Sequence, residues 1–212
     1  LDKYVHVTTP EVYGSTDGGW IKEHNHFSPS TPYAVSRAAC DLHLLSFHKS
    51  YGFPVVFTRA ANVYGPGQQL YRIIPRTLLS ALSGKKMQLN GSGDSIRSFI
   101  HIQDVVRGTM QIALEAEPGS SWHLSTQNCL SIRELIERIL TISKADFDNL
   151  IETSQDRLGQ DKSYLLDSIK MRKHFDWDSE IDIDEGLRLT HTWVQKNLEG
   201  LKRLPWKYVH KQ

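Results

Sequence analysis

Residues 4–14 read YVHVTTPEVYG. The first four are short, apolar and β-branched, the pattern of a buried strand in a parallel sheet. The strand runs directly into Thr8, Thr9, a proline and Glu11, so it ends in two hydroxyls and a carboxylate. Open α/β sheets gather their ligands at such carboxyl ends.

Outward from this stretch, strands and helices alternate. The polar, Gly-, Ser- and Pro-rich GSTDGGWIKEHNHFSPSTP reads as a loop. A helix is predicted from about Pro32 to Tyr51, with Ala34, Ala38, Leu42, Leu45 and Phe47 as its apolar stripe and Gly52 as its stop. FPVVFTRAANVYGPG reads as a strand running into a turn, YRIIPRTLLSALSG as a helix closed by Gly84, and KMQLNGSGD as a short strand and turn. RSFIHI is a strand, and Asp104 suits the start of the helix after it. SSWHLST is a strand, and Ser131 with Glu134 forms a capping box for SIRELIERILTIS. Helices around DSIKMRKHF and DIDEGLRLTHTWVQKNL complete the chain, with Leu189 and Trp193 read as core. His101, on an apolar strand, reads as a core or pocket-edge histidine. The alternation predicts an α/β protein with a mostly parallel sheet.

Composition excludes several classes. The 212 residues are 39% hydrophobic and 23% charged, as in ordinary globular protein. A net charge of +1 gives no electrostatic footprint for nucleic acid or an anionic membrane. Apolar runs are far too short to span a bilayer, and no secretory leader is evident. Cys40 and Cys129 make neither a disulfide framework nor a metal spacing, which suits a reducing cytoplasm. His24 and His26 beside Glu23 read as a solvated loop, and no metal site is expected.

Tyr33 and Arg37 stand four apart on one predicted helix and share a face. A cation beside a phenol favours the phenolate, and such a tyrosine can act as acid or base towards a sugar hydroxyl. Thr9, at the end of the strand, can hydrogen-bond the same hydroxyl, with Glu11 two residues on.

The order VTTPEVYG, TPYAVSRAACD, TRAANVYGPG, IIPRTLLSALSGKKMQLNGSGDSIRSFIHIQDV and DRLGQD resembles the extended short-chain dehydrogenase/reductases, in particular the NAD-dependent nucleotide-sugar 4,6-dehydratases. The resemblance runs from Val5 to about Asn197. It implies the carboxyl-terminal part of a Rossmann-like doubly wound sheet with a smaller α/β substrate-binding lobe. Residues 1–70 would belong to the NAD-binding domain. Residues 71–212 would be mainly the nucleotide-sugar lobe, with some segments returning to the sheet. It implies NAD as cofactor, contacted by Tyr33 and Arg37, and a nucleotide-diphosphate sugar as substrate. Tyr33 would be the base at the carbon 4 hydroxyl, assisted by Thr9, and Glu11 the base for the carbon 5 proton. Asn62 would contact substrate, and Arg97 and Arg157 would grip the diphosphate. Arg72, Ile73, Gln88 and Asn90 would line the nucleotide pocket. The helix bearing Tyr33 would pair with its twin in a homodimer, and polysaccharide precursor synthesis is the family's habit.

The sequence departs from that pattern. Arg37 stands where the family has lysine, and Pro10 where it has the aspartate that serves the departing water. Asn90 replaces a frequent aromatic, and His123 and Gln160 replace other polar residues. The family's opening strand, Gly-x-x-Gly-x-x-Gly and helix have no counterpart here. GSTDGG lies in the loop after the first strand. The chain is therefore expected to be part of a longer protein and not to turn over substrate alone. A 4-epimerase or uronic acid decarboxylase on the same scaffold is the nearest enzymatic alternative, and a non-catalytic nucleotide-sugar-binding fragment is the other.

Overall fold

Thr31 and Gly52 bracket the longest helix. Thr31 Oγ1 accepts from the Ala34 amide at 3.1 Å, Pro32 fills the first turn, and Gly52 closes the end at φ 68°, the left-handed region glycine enters without a steric cost. The structure, a computed structural model, describes residues 1–15, 18–24, 26–154 and 163–206. Its strands are β1 (Tyr4–Thr8), β2 (Trp20–Ile21), β3 (Val55–Ala60), β4 (Asn62–Tyr64), β5 (Met87–Asn90), β6 (Ile96–His101), β7 (Ser121–Leu124), β8 (Cys129–Ser131), β9 (Ile151–Ser154) and β10 (Ser163–Leu166). Its helices are α1 (Pro32–Tyr51), α2 (Ile73–Ser83), α3 (Ile102–Glu115), α4 (Ile132–Ser143), α5 (Phe147–Leu150), α6 (Ile169–Phe175), α7 (Ile183–Lys196) and α8 (Leu198–Leu201), with a 3-10 turn at Pro10–Tyr13.

The chain divides into two units, each drawn from three stretches. The first holds Leu1–Val63, Ser95–Cys129 and the described residues of Gly159–Glu180. Its parallel sheet runs β1-β3-β7, with Val5 opposite Val56 and Thr8 opposite Arg59. Successive strand residues face opposite sides. His6, Thr8 and Arg59 meet Asp41 of α1. Val5 and Val56 instead pack with Ile112 and Ala116 of the α3 side, together with Trp122, Leu124, Met171 and Trp177. Helices thus cover both faces, which is why these strands read as apolar runs. A second sheet runs β2-β10-β6-β4, with β8 paired to β6.

The other unit comprises Tyr64–Asp94, Leu130–Leu158 and Ile181–Gln212 in their described residues. Strands β5 and β9 pair in parallel, and Met87, Leu89, Ile136, Leu140, Leu150 and Ile151 form its core. Each such side chain, fully buried, stabilises by roughly 1.5–3 kcal/mol. Both halves of the predicted capping box at Ser131 and Glu134 are present.

Four sequence expectations need correction. The loop after β1 contains a short strand, β2, which pairs in register with Leu165 and Leu166. The stretch 53–67 breaks into β3 and β4, which join different sheets. On α1 the buried row is Ala34, Ala38 and Asp41, while Leu42 and Phe47 are 57% and 42% exposed. A charged residue displaces the expected leucine because three partners wait for it on the sheet. On α7, Leu187, Thr190 and Val194 face inward, leaving Leu189 exposed and Trp193 half-buried.

Asp41 and Arg59 are each 2% exposed and meet at 2.6 Å. Removing one member of such a pair strands the other charge in the interior. Asp41→Ala is expected to lower the unfolding free energy by about 3–5 kcal/mol in urea titration, and Asp41→Leu combined with Arg59→Met to recover most of that loss.

Candidate functional site

The carboxyl end of β1 becomes a 3-10 turn, and Thr9 caps it, its hydroxyl accepting from the Glu11 amide at 3.3 Å. Glu11, half-buried, therefore rides on a capped turn. Gly14 ends the turn at φ 72°, where a β-carbon would strike the Ser28 carbonyl, so glycine is required there. Its amide donates to the Glu11 carbonyl at 3.1 Å.

Tyr13 holds the far end of this turn. Its hydroxyl lies 2.9 Å from His123 Nε2, and His123 Nδ1 lies 3.0 Å from the Asp167 carbonyl. A carbonyl only accepts, so Nδ1 carries the proton and Nε2 accepts from Tyr13. Burial, with Arg59 adding to it, drives the His123 imidazole down to about 3. Burial also pushes the Tyr13 phenol up to about 12. Sequence reading noted His123 only as a departure from a pattern; its partner lies 110 residues away.

Tyr33 occupies the first turn of α1 and is 55% exposed. Arg37, one turn on, donates Nη2 to the Val7 carbonyl at 2.7 Å. That bond ties the start of α1 to the end of β1, the segment that carries Thr9.

Asn62 starts β4. Its Nδ2 donates to the Ser98 carbonyl at 3.1 Å, and its Oδ1 accepts from the Tyr164 hydroxyl at 3.1 Å. Arg97, 5% exposed, lies opposite Tyr164 across the β6–β10 ladder with its guanidinium 4.3 Å from the ring centroid. Burial pushes the Tyr164 phenol up; Arg97 opposes this and Glu11 adds to it. Tyr164 escaped the sequence reading, although it follows DRLGQD closely and begins an apolar run.

Four further expected residues belong to the other unit. Arg72 is the residue before α2, exposed, with its guanidinium 5.5 Å from the Tyr71 ring centroid. Ile73 opens α2 and packs on the core of that unit. Gln88 and Asn90 are exposed on β5, and Asn90 Oδ1 accepts from Ser154 at 3.3 Å. Arg157 and Gln160 lie outside the described residues. Among the described residues no group of three or more His, Cys, Asp and Glu is placed to hold a metal.

The donor set on α1 fits the nicotinamide-ribose end of a dinucleotide. An exposed phenol and a guanidinium share one helix face beside a strand's carboxyl end, and ribose hydroxyls accept from such groups. A glycine-rich strand–turn–helix, the usual seat of the pyrophosphate, does not occur among the described residues.

A parallel sheet wound on both faces, with hydroxyl and carboxylate at its strand ends and a Tyr-x-x-x-basic helix, defines the Rossmann-like, short-chain dehydrogenase/reductase class. More narrowly, the chain belongs to the GDP-mannose 4,6 dehydratase family, whose model matches residues 2–190. The probable dTDP-glucose 4,6-dehydratase of Sinorhizobium fredii is 33% identical over 202 residues, covering 92% of this chain and 58% of that protein. The mouse dTDP-D-glucose 4,6-dehydratase is 30% identical over 207 residues, covering 95% and 58%. The crystal structure of dTDP-glucose 4,6-dehydratase from Bacillus anthracis in complex with NAD superposes with a TM-score of 0.88 at 33% identity, over 93% of this chain and 63% of that one. The Streptomyces venezuelae dTDP-glucose 4,6-dehydratase with NAD bound gives 0.89 at 33% identity, over 92% and 61%. The chain thus spans 58% to 63% of the length of these relatives.

A histidine held far below its usual range favours folding only while neutral. Its contribution is complete above the unfolded value of 6.5 and is lost as pH falls towards about 3. Unfolding free energy measured across that window is expected to fall less steeply in His123→Asn than in the unaltered chain.

Proposed function

We propose that this chain carries the substrate-side machinery of an NAD-dependent nucleotide-sugar 4,6-dehydratase. The Arg37–Val7 bond carries this reading, because it brings the start of α1 and the Thr9–Glu11 turn to one strand end. NAD, when bound, would supply the hydride acceptor for oxidation at carbon 4 and the hydride donor for carbon 6. Tyr33 removes the carbon 4 hydroxyl proton, with Thr9 hydrogen-bonded to the same oxygen and Arg37 holding positive charge nearby. Oxidation at carbon 4 makes the carbon 5 proton acidic, and Glu11 takes it. The carbon 6 hydroxyl then departs as water. Pro10 has no proton to give, so another acid, a bound water or Glu11 itself protonates the leaving oxygen, and a proton drawn from solvent reaches carbon 5 as hydride returns to carbon 6.

Arg97 and Arg157 are assigned to the diphosphate, where planar guanidinium forks match the oxygens. Asn62 is assigned to the sugar side, and Arg72, Ile73, Gln88 and Asn90 to the nucleotide end. Pro10 favours a second reading, a 4-epimerase, which needs no acid at carbon 6. The UDP-N-acetylglucosamine 4-epimerase of Methanobrevibacter ruminantium has a TM-score of 0.85 to this chain at 27% identity.

We further assign a homodimer to the outer face of α1, where Val35, Leu42, Phe47 and Tyr51 stand exposed. Exposed Cys40 and Cys129 suit a reducing cytoplasm, and precursor synthesis for polysaccharides is the assigned setting. Sedimentation equilibrium of the natural protein is expected to give a dimer, and Leu42→Asp a monomer. A wild-type monomer contradicts that assignment.

The reaction is tested by incubating the natural protein with dTDP-glucose, UDP-N-acetylglucosamine and GDP-mannose in turn. A 4-keto-6-deoxy product supports the dehydratase, and a carbon 4 epimer supports the alternative. Glu11→Gln is expected to retain oxidation at carbon 4 but lose about 100-fold or more in release of water. Unchanged elimination by that variant removes Glu11 from the mechanism.

A further inference from the structure

We infer that Tyr164 is a positioning residue that fixes both Asn62 and Arg97 for the nucleotide sugar. The inference rests on the substrate roles given above to those two residues, and goes beyond them. Tyr164 and Arg97 are directly opposed in the β6–β10 ladder, so their side chains leave the sheet on the same face. The guanidinium lies 4.3 Å from the ring centroid, close enough for a cation–π contact. The ring beneath the guanidinium and the Ile96 carbonyl, which accepts from Nη1 at 2.7 Å, together fix the plane of the Arg97 fork.

The hydroxyl of the same tyrosine settles the orientation of the Asn62 amide. Ser98 O can only accept, so it must face the Asn62 nitrogen. Tyr164 donates to the Asn62 oxygen from the other side. The two partners agree, and a flipped amide would set oxygen against carbonyl oxygen. One Nδ2 hydrogen is used by Ser98, and the second is left pointing in a fixed direction as a donor. Burial keeps the Tyr164 phenol protonated, as this arrangement needs. A single side chain on β10 thus orients a donor on β4 and a cation on β6.

In the natural protein, Tyr164→Leu removes both contacts. It is expected to weaken calorimetric binding of a free nucleoside diphosphate (dTDP, UDP and GDP titrated in turn) about tenfold, and to raise KM for the nucleotide sugar while kcat stays within about twofold. Tyr164→Phe keeps the ring beneath Arg97. Diphosphate affinity is expected to return to within about twofold of wild type, while KM stays raised because Asn62 is free to flip. A merely structural role would lower kcat and melting temperature together and show no such split. Undiminished diphosphate affinity in Tyr164→Leu, beside an Arg97→Gln variant that has lost it, overturns this inference alone. Undiminished affinity in Arg97→Gln overturns the diphosphate role of Arg97 itself. A Tyr164→Phe enzyme with wild-type KM overturns the Asn62 half.

Discussion

The carboxylate of Asp41 is the point on which the first unit turns. Arg59 of β3 reaches it at 2.6 Å, and Thr8 and His6 of β1 each at 3.1 Å. Two charges this deeply buried lose several kcal/mol of hydration each, so they persist only where geometry and hydrogen bonds are good. Burial pushes the His6 imidazole below its usual range; Asp41 opposes this, and Arg37 and Arg59 add to it. One side chain thereby joins α1, β1 and β3. Tyr33, Arg37 and Asp41 lie at i, i+4 and i+8, within an arc of about 80°. Fixing Asp41 therefore fixes both the height and the rotation of the helix that presents Tyr33 and Arg37 at the strand end.

The opposite wall is held by a neutral network. Thr9 caps the turn bearing Glu11 from one side, and Tyr13, bonded to buried His123, holds it from the other. A carboxylate meant to take one particular proton must not wander, and a capped turn with a buried anchor restricts it more than a loop would. Further along the same unit, Tyr164 joins β10 to β4 and β6. Arg37, Asn62 and Arg97 are thus each supported by a partner distant in sequence.

This explains what was legible in the chain and what was not. The ends of α1 are written locally, in Thr31, Pro32 and Gly52, and so is the start of α4 in Ser131 and Glu134. The parallel sheet shows in its apolar runs, and the end of β1 at Thr8 shows in its change from apolar to polar residues. Strands β2 and β10 carry almost no local signal, since two to four residues become strand only through their neighbours. Asp41 broke the expected apolar stripe because its partners sit on other elements. An aspartate within an alanine- and leucine-rich helix, and an arginine within VVFTRA, were the available clues. Tyr164 matters through its register with Arg97, and register between strands 67 positions apart is not written in either segment.

The central claim is spatial: the end of β1 and the first turns of α1 address the same hexose. A crystal structure of the natural protein with a bound nucleotide sugar tests it most directly. The account expects the Tyr33 hydroxyl at about 2.6–3.2 Å from the carbon 4 oxygen and the Glu11 carboxylate within reach of the carbon 5 proton. A sugar ring seated elsewhere, with Glu11 turned away from carbon 5, contradicts it.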